Sequence, residues 1–184
     1  MNVNIQIIMF ISHFLSFTSE SFILFNLGKI MEHCHKNVFT IEDCFAYNFK
    51  RKYNTDFYCS ICNKIENNNA EEIIYKPPLI LVLILDRGHG KQFAGIVKFE
   101  KELDIKNYMD DDSENNQYNT KYNLIGVCTH SGTSSSSGHY TACCLTDNNE
   151  YYYFSDTYVR KANEEDLYKD EPYLLFYRRK INDN

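Results

Sequence analysis

Tryptophan is absent from this 184-residue chain. With Asn and Tyr abundant, that points to a biased composition rather than a special architecture. No Lys or Arg precedes Lys29, so the charged start of a signal peptide is missing. Ile5 to Phe25 is apolar-rich around Ile7 to Ile11, but Gln6, Ser12, His13, Ser16 and Glu20 interrupt it. It falls short of the ~18 uninterrupted apolar residues of a membrane span. Membrane attachment is therefore not expected, and residues 1–30 read as an unassigned segment, either poorly packed or not the natural start of the domain. A basic surplus is lacking too. A net charge of −6 and a pI near 5.5 exclude a nucleic-acid binder, which needs a basic surface against phosphate. An acidic chain suits a basic partner instead. The seven cysteines make no disulfide framework, because the number is odd and Cys143 and Cys144 are adjacent. Reduced thiols place the chain inside the cell, in cytoplasm or nucleus.

The length suits one domain with a proper core. Thr40 and Asp43 have the spacing of a capping box, with Asp in place of Glu. Ile41, Phe45 and Phe49 then recur every four residues, so the spacing predicts a helix over 40–50. Phe57 to Lys64 reads as a knuckle-like turn and Asn67 to Asn69 as a loop. Pro77 and Pro78 stop any helix and open Leu79 to Leu85, seven consecutive apolar residues. Such a run reads as a strand buried on both faces. Asp110 to Asn119 is an acidic, Asn-rich insertion. Tyr122 to His130, His139 to Leu145, Glu150 to Phe154 and Tyr173 to Arg178 read as a meander of strands, with a short helix within Ala162 to Tyr168. A helix followed by mostly antiparallel strands predicts an α+β chain, and no internal repeat is found.

His139 is the residue with the most chemistry in it. It follows Ser131 to Gly138, eight residues of Ser, Gly and Thr that read as a mobile loop. Small apolar residues succeed it, so the strand is buried while the imidazole sits at its mouth. Ser155 and Asp156 end the next strand, where a hairpin brings them opposite. A histidine oriented by a hydroxyl or carboxylate is how a hydrolase holds a general base.

Tyr122 to Val127, then His130 with Ser131 and Gly132, then Gly138 to Ala142 together resemble the histidine box of the ubiquitin-specific proteases. Phe154 to Asp156 resembles the segment carrying that family's third triad residue, and Tyr173 to Arg178 its closing strand. Pro77 to Arg87 is similar to the strand that ends in a basic residue before the first ubiquitin-contacting loop, and Phe57 to Cys62 to the second Cys-x-x-Cys of the fingers. The resemblance implies a papain-like cysteine protease fold, here its C-terminal portion (palm and part of the fingers) over residues 31–180. It implies a thiol-dependent hydrolase cutting the isopeptide bond at the C-terminal glycine of ubiquitin, with His139 as general base and ubiquitin and ubiquitinated proteins as partners. Ser155 stands at the family's usual Asp or Asn position; either Ser155 or the adjacent Asp156 is the orienting group.

Two departures follow from the same resemblance. The family's N-terminal box, of the kind Gly-x-x-Asn-x-Gly-Asn-Thr-Cys, is not in this sequence. Cys34 lacks the Asn that supplies an oxyanion donor, and Cys143 and Cys144 read as small core residues. The chain is thus expected to lack the nucleophile and to be inactive alone; the alternative is a non-catalytic ubiquitin-binding scaffold. No cofactor is expected for catalysis. Cys59 and Cys62 have the bite of half a structural zinc site, but four ligands are needed. Adjacent residues such as His33, Cys34 and His35 rarely converge on one metal.

Overall fold

The structure is a computed structural model and describes residues 2–11, 14–49, 51–59, 62–88, 95–110, 118–134 and 137–181. Among them, fourteen strands and two α-helices form a papain-like α+β fold, mostly antiparallel. The sheet that carries the site has eight strands. Its order runs β13 (Tyr158–Ala162), β12 (Tyr151–Ser155), β11 (Ser137–Leu145), β10 (Lys121–Ser134), β14 (Pro172–Arg179), β7 (Ile80–Asp86), β3 (Ile23–Asn26), with β9 (Glu102–Asp104) on β10. Only β3 is parallel to its neighbour, β7. A second sheet is ordered β2 (Phe14–Glu20), β1 (Ile5–Ile11), β6 (Lys64–Lys76), β5 (Tyr53–Cys59), and β4 (Val38–Thr40) pairs with β8 (Ile96–Lys98).

Helix α2 (Ile41–Phe49) begins at the capping box read from the sequence: Thr40 N–H donates to Asp43 at 3.0 Å and Asp43 N–H to Thr40 Oγ1 at 3.2 Å. Both orphan donors are thereby satisfied. Its buried stripe of Ile41, Cys44, Phe45 and Phe49 joins Leu27 and Ile30 of α1 (Leu27–Cys34) against one face of the large sheet. That face supplies Leu81, Leu83, Leu85, Leu175 and Val127, each at most 1% exposed. Two tyrosines are buried with it, and each hydroxyl finds a carbonyl: Tyr122 donates to Pro78 at 2.7 Å and Tyr177 to Glu100 at 2.8 Å.

Several expectations are corrected. Within Ile5 to Phe25, Ile5, Ile23 and Phe25 at the two ends are core residues, whereas residues 16–22 are exposed. Asn67 to Asn69 is no loop: cross-strand pairing with Asp56, Thr55 and Asn54 holds it inside β6, overriding the weak strand preference of Asn. Phe57 to Cys59 belongs to β5 rather than a turn, and Glu164–Tyr168 is a 3-10 turn. The run from Leu79 is buried on one face only. Leu81, Leu83 and Leu85 are buried, while Ile80, Val82 and Ile84 are half-buried. Most of the acidic insertion, 111–117, lies outside the described residues. No helix among the described residues is long and apolar enough to cross a membrane.

Candidate active site

His139 sits near the start of β11, opposite Ser131 of β10. Two residues further, Thr141 pairs with Ser155, the last residue of β12. Alternation puts His139, Thr141 and Ser155 on one face, and the imidazole Nε2 lies 2.7 Å from Ser155 Oγ. The β12–β13 hairpin then turns in two residues, Ser155 pairing with Tyr158. Asp156 takes the left-handed region, φ 50°, which the short polar side chain of Asp tolerates. That bend returns its carboxylate to 3.6 Å from His139 Nδ1. At that distance the contact is an ion pair when the ring is protonated, not a hydrogen bond. All three predicted residues are thus brought together. His139 is partly exposed (44%), Asp156 largely so (79%), so the ring is reachable from solvent.

The loop before His139 is a further correction. The β10–β11 ladder continues past the histidine to Ser134 opposite Ser137, leaving 135–136 outside the described residues. Two glycines allow this. A Cβ on Gly138 would meet His130 Nε2 at 2.2 Å, and one on Gly132 the Ser137 carbonyl at 2.4 Å. His130 fills the space those missing Cβ atoms leave, its ring 4.3 Å from that of Tyr140. Its Nε2 is buried, with no hydrogen-bond partner among the described residues. Sequence reasoning placed His130 within a motif and gave it no role. Gly132 on its own strand and Gly138 on the opposite one were the available signal.

The cysteines lie elsewhere. Cys143 shares His139's strand and face but is four residues along, about 13 Å away at the rise of a strand. Burial pushes the Cys143 thiol up to about 11 and the Cys44 thiol up to about 12, and it raises Cys128 and Cys144 as well. Cys34 ends α1, where His33 packs on Tyr47 and His35 is the left-handed cap, so this triplet serves a helix terminus. Cys59 ends β5 and Cys62 lies in the turn before β6. On β6, Ile11 of β1 pairs with Ala70, whereas Cys59 pairs with Lys64. Those six positions of β6 correspond to about 20 Å. Among the described residues no three His, Cys, Asp or Glu side chains gather into a metal site.

Arg87, just after β7, is tied by Nη1 to the Gly95 carbonyl at 3.1 Å and faces Glu171 at 3.5 Å. Residues 89–94, in the loop beyond it, lie outside the described residues.

Residues 2–177 match the family described as ubiquitin carboxyl-terminal hydrolase. "Ubiquitin carboxyl-terminal hydrolase 8" of Saccharomyces cerevisiae is 32% identical over 157 residues, 77% of this chain and 33% of that protein. "Ubiquitin carboxyl-terminal hydrolase 20" of Arabidopsis thaliana is 28% identical over 133 residues, 70% of this chain and 19% of the relative. Among solved structures, the SAGA Ubp8/Sgf11/Sus1/Sgf73 DUB module bound to ubiquitin aldehyde shares the fold with a TM-score of 0.69. It is 23% identical, with 98% of this chain and 41% of that one covered. This chain spans a third or less of the length of these two curated relatives.

Proposed function

This chain belongs to the ubiquitin carboxyl-terminal hydrolase family, and from that premise we propose that it serves thiol-dependent hydrolysis of the isopeptide bond at the C-terminal glycine of ubiquitin. His139 is the general base in this reading, and the nucleophilic cysteine is not among this chain's own residues. The observation that carries it is the joint placement of Ser155 and Asp156 on the two nitrogens of one reachable imidazole.

The chemistry follows from the two contacts. Nε2–H donates to Ser155 Oγ, which holds the tautomer whose Nδ1 lone pair is free to take a thiol proton. The thiolate attacks the glycine carbonyl, and the imidazolium then gives its proton to the leaving lysine amine. Water hydrolyses the acyl-enzyme in the second half-reaction. Ser155 orients without charge. Asp156 supplies the negative charge that the imidazolium faces, at 3.6 Å. The cysteines whose thiols burial raises are protonated at neutral pH, and a protonated thiol is a poor nucleophile. That observation also favours a second reading, a ubiquitin-binding scaffold without turnover. Ubiquitin and its conjugates are the proposed partners, and an intracellular, cytoplasmic or nuclear location is proposed with them.

The test is a ubiquitin probe carrying a C-terminal electrophile, added to the full chain. Reversible binding without a covalent adduct is expected. An adduct that disappears in His139→Ala would show that this chain does carry the nucleophile. Absence of any ubiquitin binding would sink both readings.

A further inference from the structure

Ser155 has a second role open to it besides orienting the imidazole. Its Oγ lies 2.7 Å from His139 Nε2, and the Asp156 carboxylate lies 3.6 Å from Nδ1. A hydroxyl on one ring nitrogen and a carboxylate on the other is how a serine hydrolase activates its nucleophile. The tautomer decides which group acts. Asp156 places negative charge beside Nδ1, which favours the proton there and leaves the Nε2 lone pair facing the Ser155 hydroxyl. Among the described residues the group at Nδ1 is this carboxylate, and the thiol on the same strand face, Cys143, is four residues along.

The backbone around Ser155 suits that role. β12 ends at Ser155, and the chain reverses within Asp156 and Thr157, since Ser155 pairs with Tyr158. A nucleophile set where a strand turns sharply uses the N–H of the next residue as an oxyanion donor. That residue is Asp156, held at φ 50° and standing in neither the β11–β12 nor the β12–β13 ladder. Small molecules reach the site, because the imidazole is 44% exposed. Tyr158, directly opposite Ser155 and 59% exposed, shares the face from which Oγ projects. Its ring is a platform for an aryl or short acyl group beside Oγ.

We propose that Ser155 is a nucleophile in its own right, and that this chain hydrolyses small activated esters through Ser155, His139 and Asp156. The thiol chemistry proposed above uses the other tautomer and the Nδ1 side of the ring, so neither activity requires the other. In the acylation step Nε2 takes the Ser155 proton and Oγ bonds to the acyl carbon. The aryl oxygen leaves with the bonding electrons as the phenolate. The imidazolium faces Asp156 and then releases its proton to solvent. Water, losing a proton to Nε2, next attacks the acyl-serine. Oγ leaves and recovers that proton, and the carboxylic acid is released. Water is the only co-reactant.

The test follows hydrolysis of p-nitrophenyl acetate by the full chain after its accessible thiols are blocked with iodoacetamide. A burst of p-nitrophenolate is expected, with the acetyl group found on Ser155 by mass spectrometry. A fluorophosphonate probe is expected to label the same residue. Ser155→Ala and His139→Ala are each expected to lower the rate at least about tenfold, short of the ~10²–10⁴ that a fully formed general-base site supplies. Circular dichroism and thermal midpoint should stay unchanged. Asp156→Asn should lower the rate only about two- to fivefold, because an exposed charge is screened. Acetyl transfer to His139, with the rate kept in Ser155→Ala, would overturn the proposal, since the imidazole would then be the nucleophile. A second variant keeps the base and changes the nucleophile. Ser155→Cys, without prior blocking, is expected to react with iodoacetamide faster at that position than at the exposed Cys62, and to lose the advantage when combined with His139→Ala. Equal reactivity at the two positions would count against activation by Nε2. The ubiquitin probe reads the Nδ1 side, so its result bears on the proposed function and not on Ser155.

Discussion

His130 and His139 are one position out of register across the same hairpin and do opposite things. His139 projects to the sheet face shared by Thr141 and Cys143 and meets Ser155 and Asp156. His130 projects to the other and packs where Gly138 lacks a Cβ. Gly138→Ala puts a methyl 2.2 Å from His130 Nε2 and 2.8 Å from the Ser131 carbonyl. A loss of about 1–3 kcal/mol is expected from such overpacking. His130→Ala in the same chain removes the first clash and not the second, so it restores only part of the loss. Gly132→Ala meets a backbone carbonyl at 2.4 Å and gains less from His130→Ala, because a carbonyl in a ladder cannot move away. Urea denaturation of the single and double variants measures the coupling. Additive effects would show that His130 does not hold the strand carrying His139.

At the scale of elements, the 3-10 turn Glu164–Tyr168 fixes the end of β13 through Asp166. This carboxylate accepts from Arg160 Nη2 at 2.9 Å and from the Asn163 N–H at 2.9 Å, and it pairs with Lys169. First the Arg160 and then the Lys169 hydrogen bond holds its carboxyl well below the usual carboxylate range. The sign follows directly. A depressed folded-state value contributes stability that is complete above the unfolded value near ~4 and is lost as pH falls toward the folded value. Asp166→Asn is therefore expected to lower the thermal midpoint at pH 7, with a gap that narrows below pH ~4. A gap constant across that range would mean that the charge is not what stabilises the turn. The arginine at the centre of this cluster also lies over the Tyr153 ring, at 4.6 Å. That ties β13 to β12, and so to the hairpin that presents Ser155 and Asp156.

For the whole molecule, the two faces of β7 predict different responses. Leu83 is fully buried and Ile84 is only half-buried. Leu83→Ala is expected to cost about 2–5 kcal/mol. Ile84→Ala should cost distinctly less in the chain by itself, because water already reaches that face. Equal losses in guanidinium denaturation would show that the second face is covered after all.

Much of this molecule was legible before its structure. The capping box at Thr40 and Asp43, the strand from Leu79, the strands of the meander and the grouping of His139 with Ser155 and Asp156 all rest on local chemistry or short hairpin spacing. Such signals survive because capping and hairpin geometry involve neighbours in sequence. What stayed hidden depends on distant partners. Asn67 to Asn69 has no intrinsic strand preference and becomes strand because β5 lies alongside. Ile5 to Ile11 looked like loose apolar sequence until β6, more than fifty residues away, paired with it. Residues 131–134 composed a loop by residue type, yet with His130 packed at Gly132 and at Gly138 of β11 they pair into a ladder. Sequence by itself determined which side chains carry the chemistry, because residue type and short-range spacing set what a group can do. The tertiary structure alone decided which nitrogen of His139 meets which oxygen and which face of the sheet stays open, because those depend on strand register and on which surfaces this chain has the mass to cover.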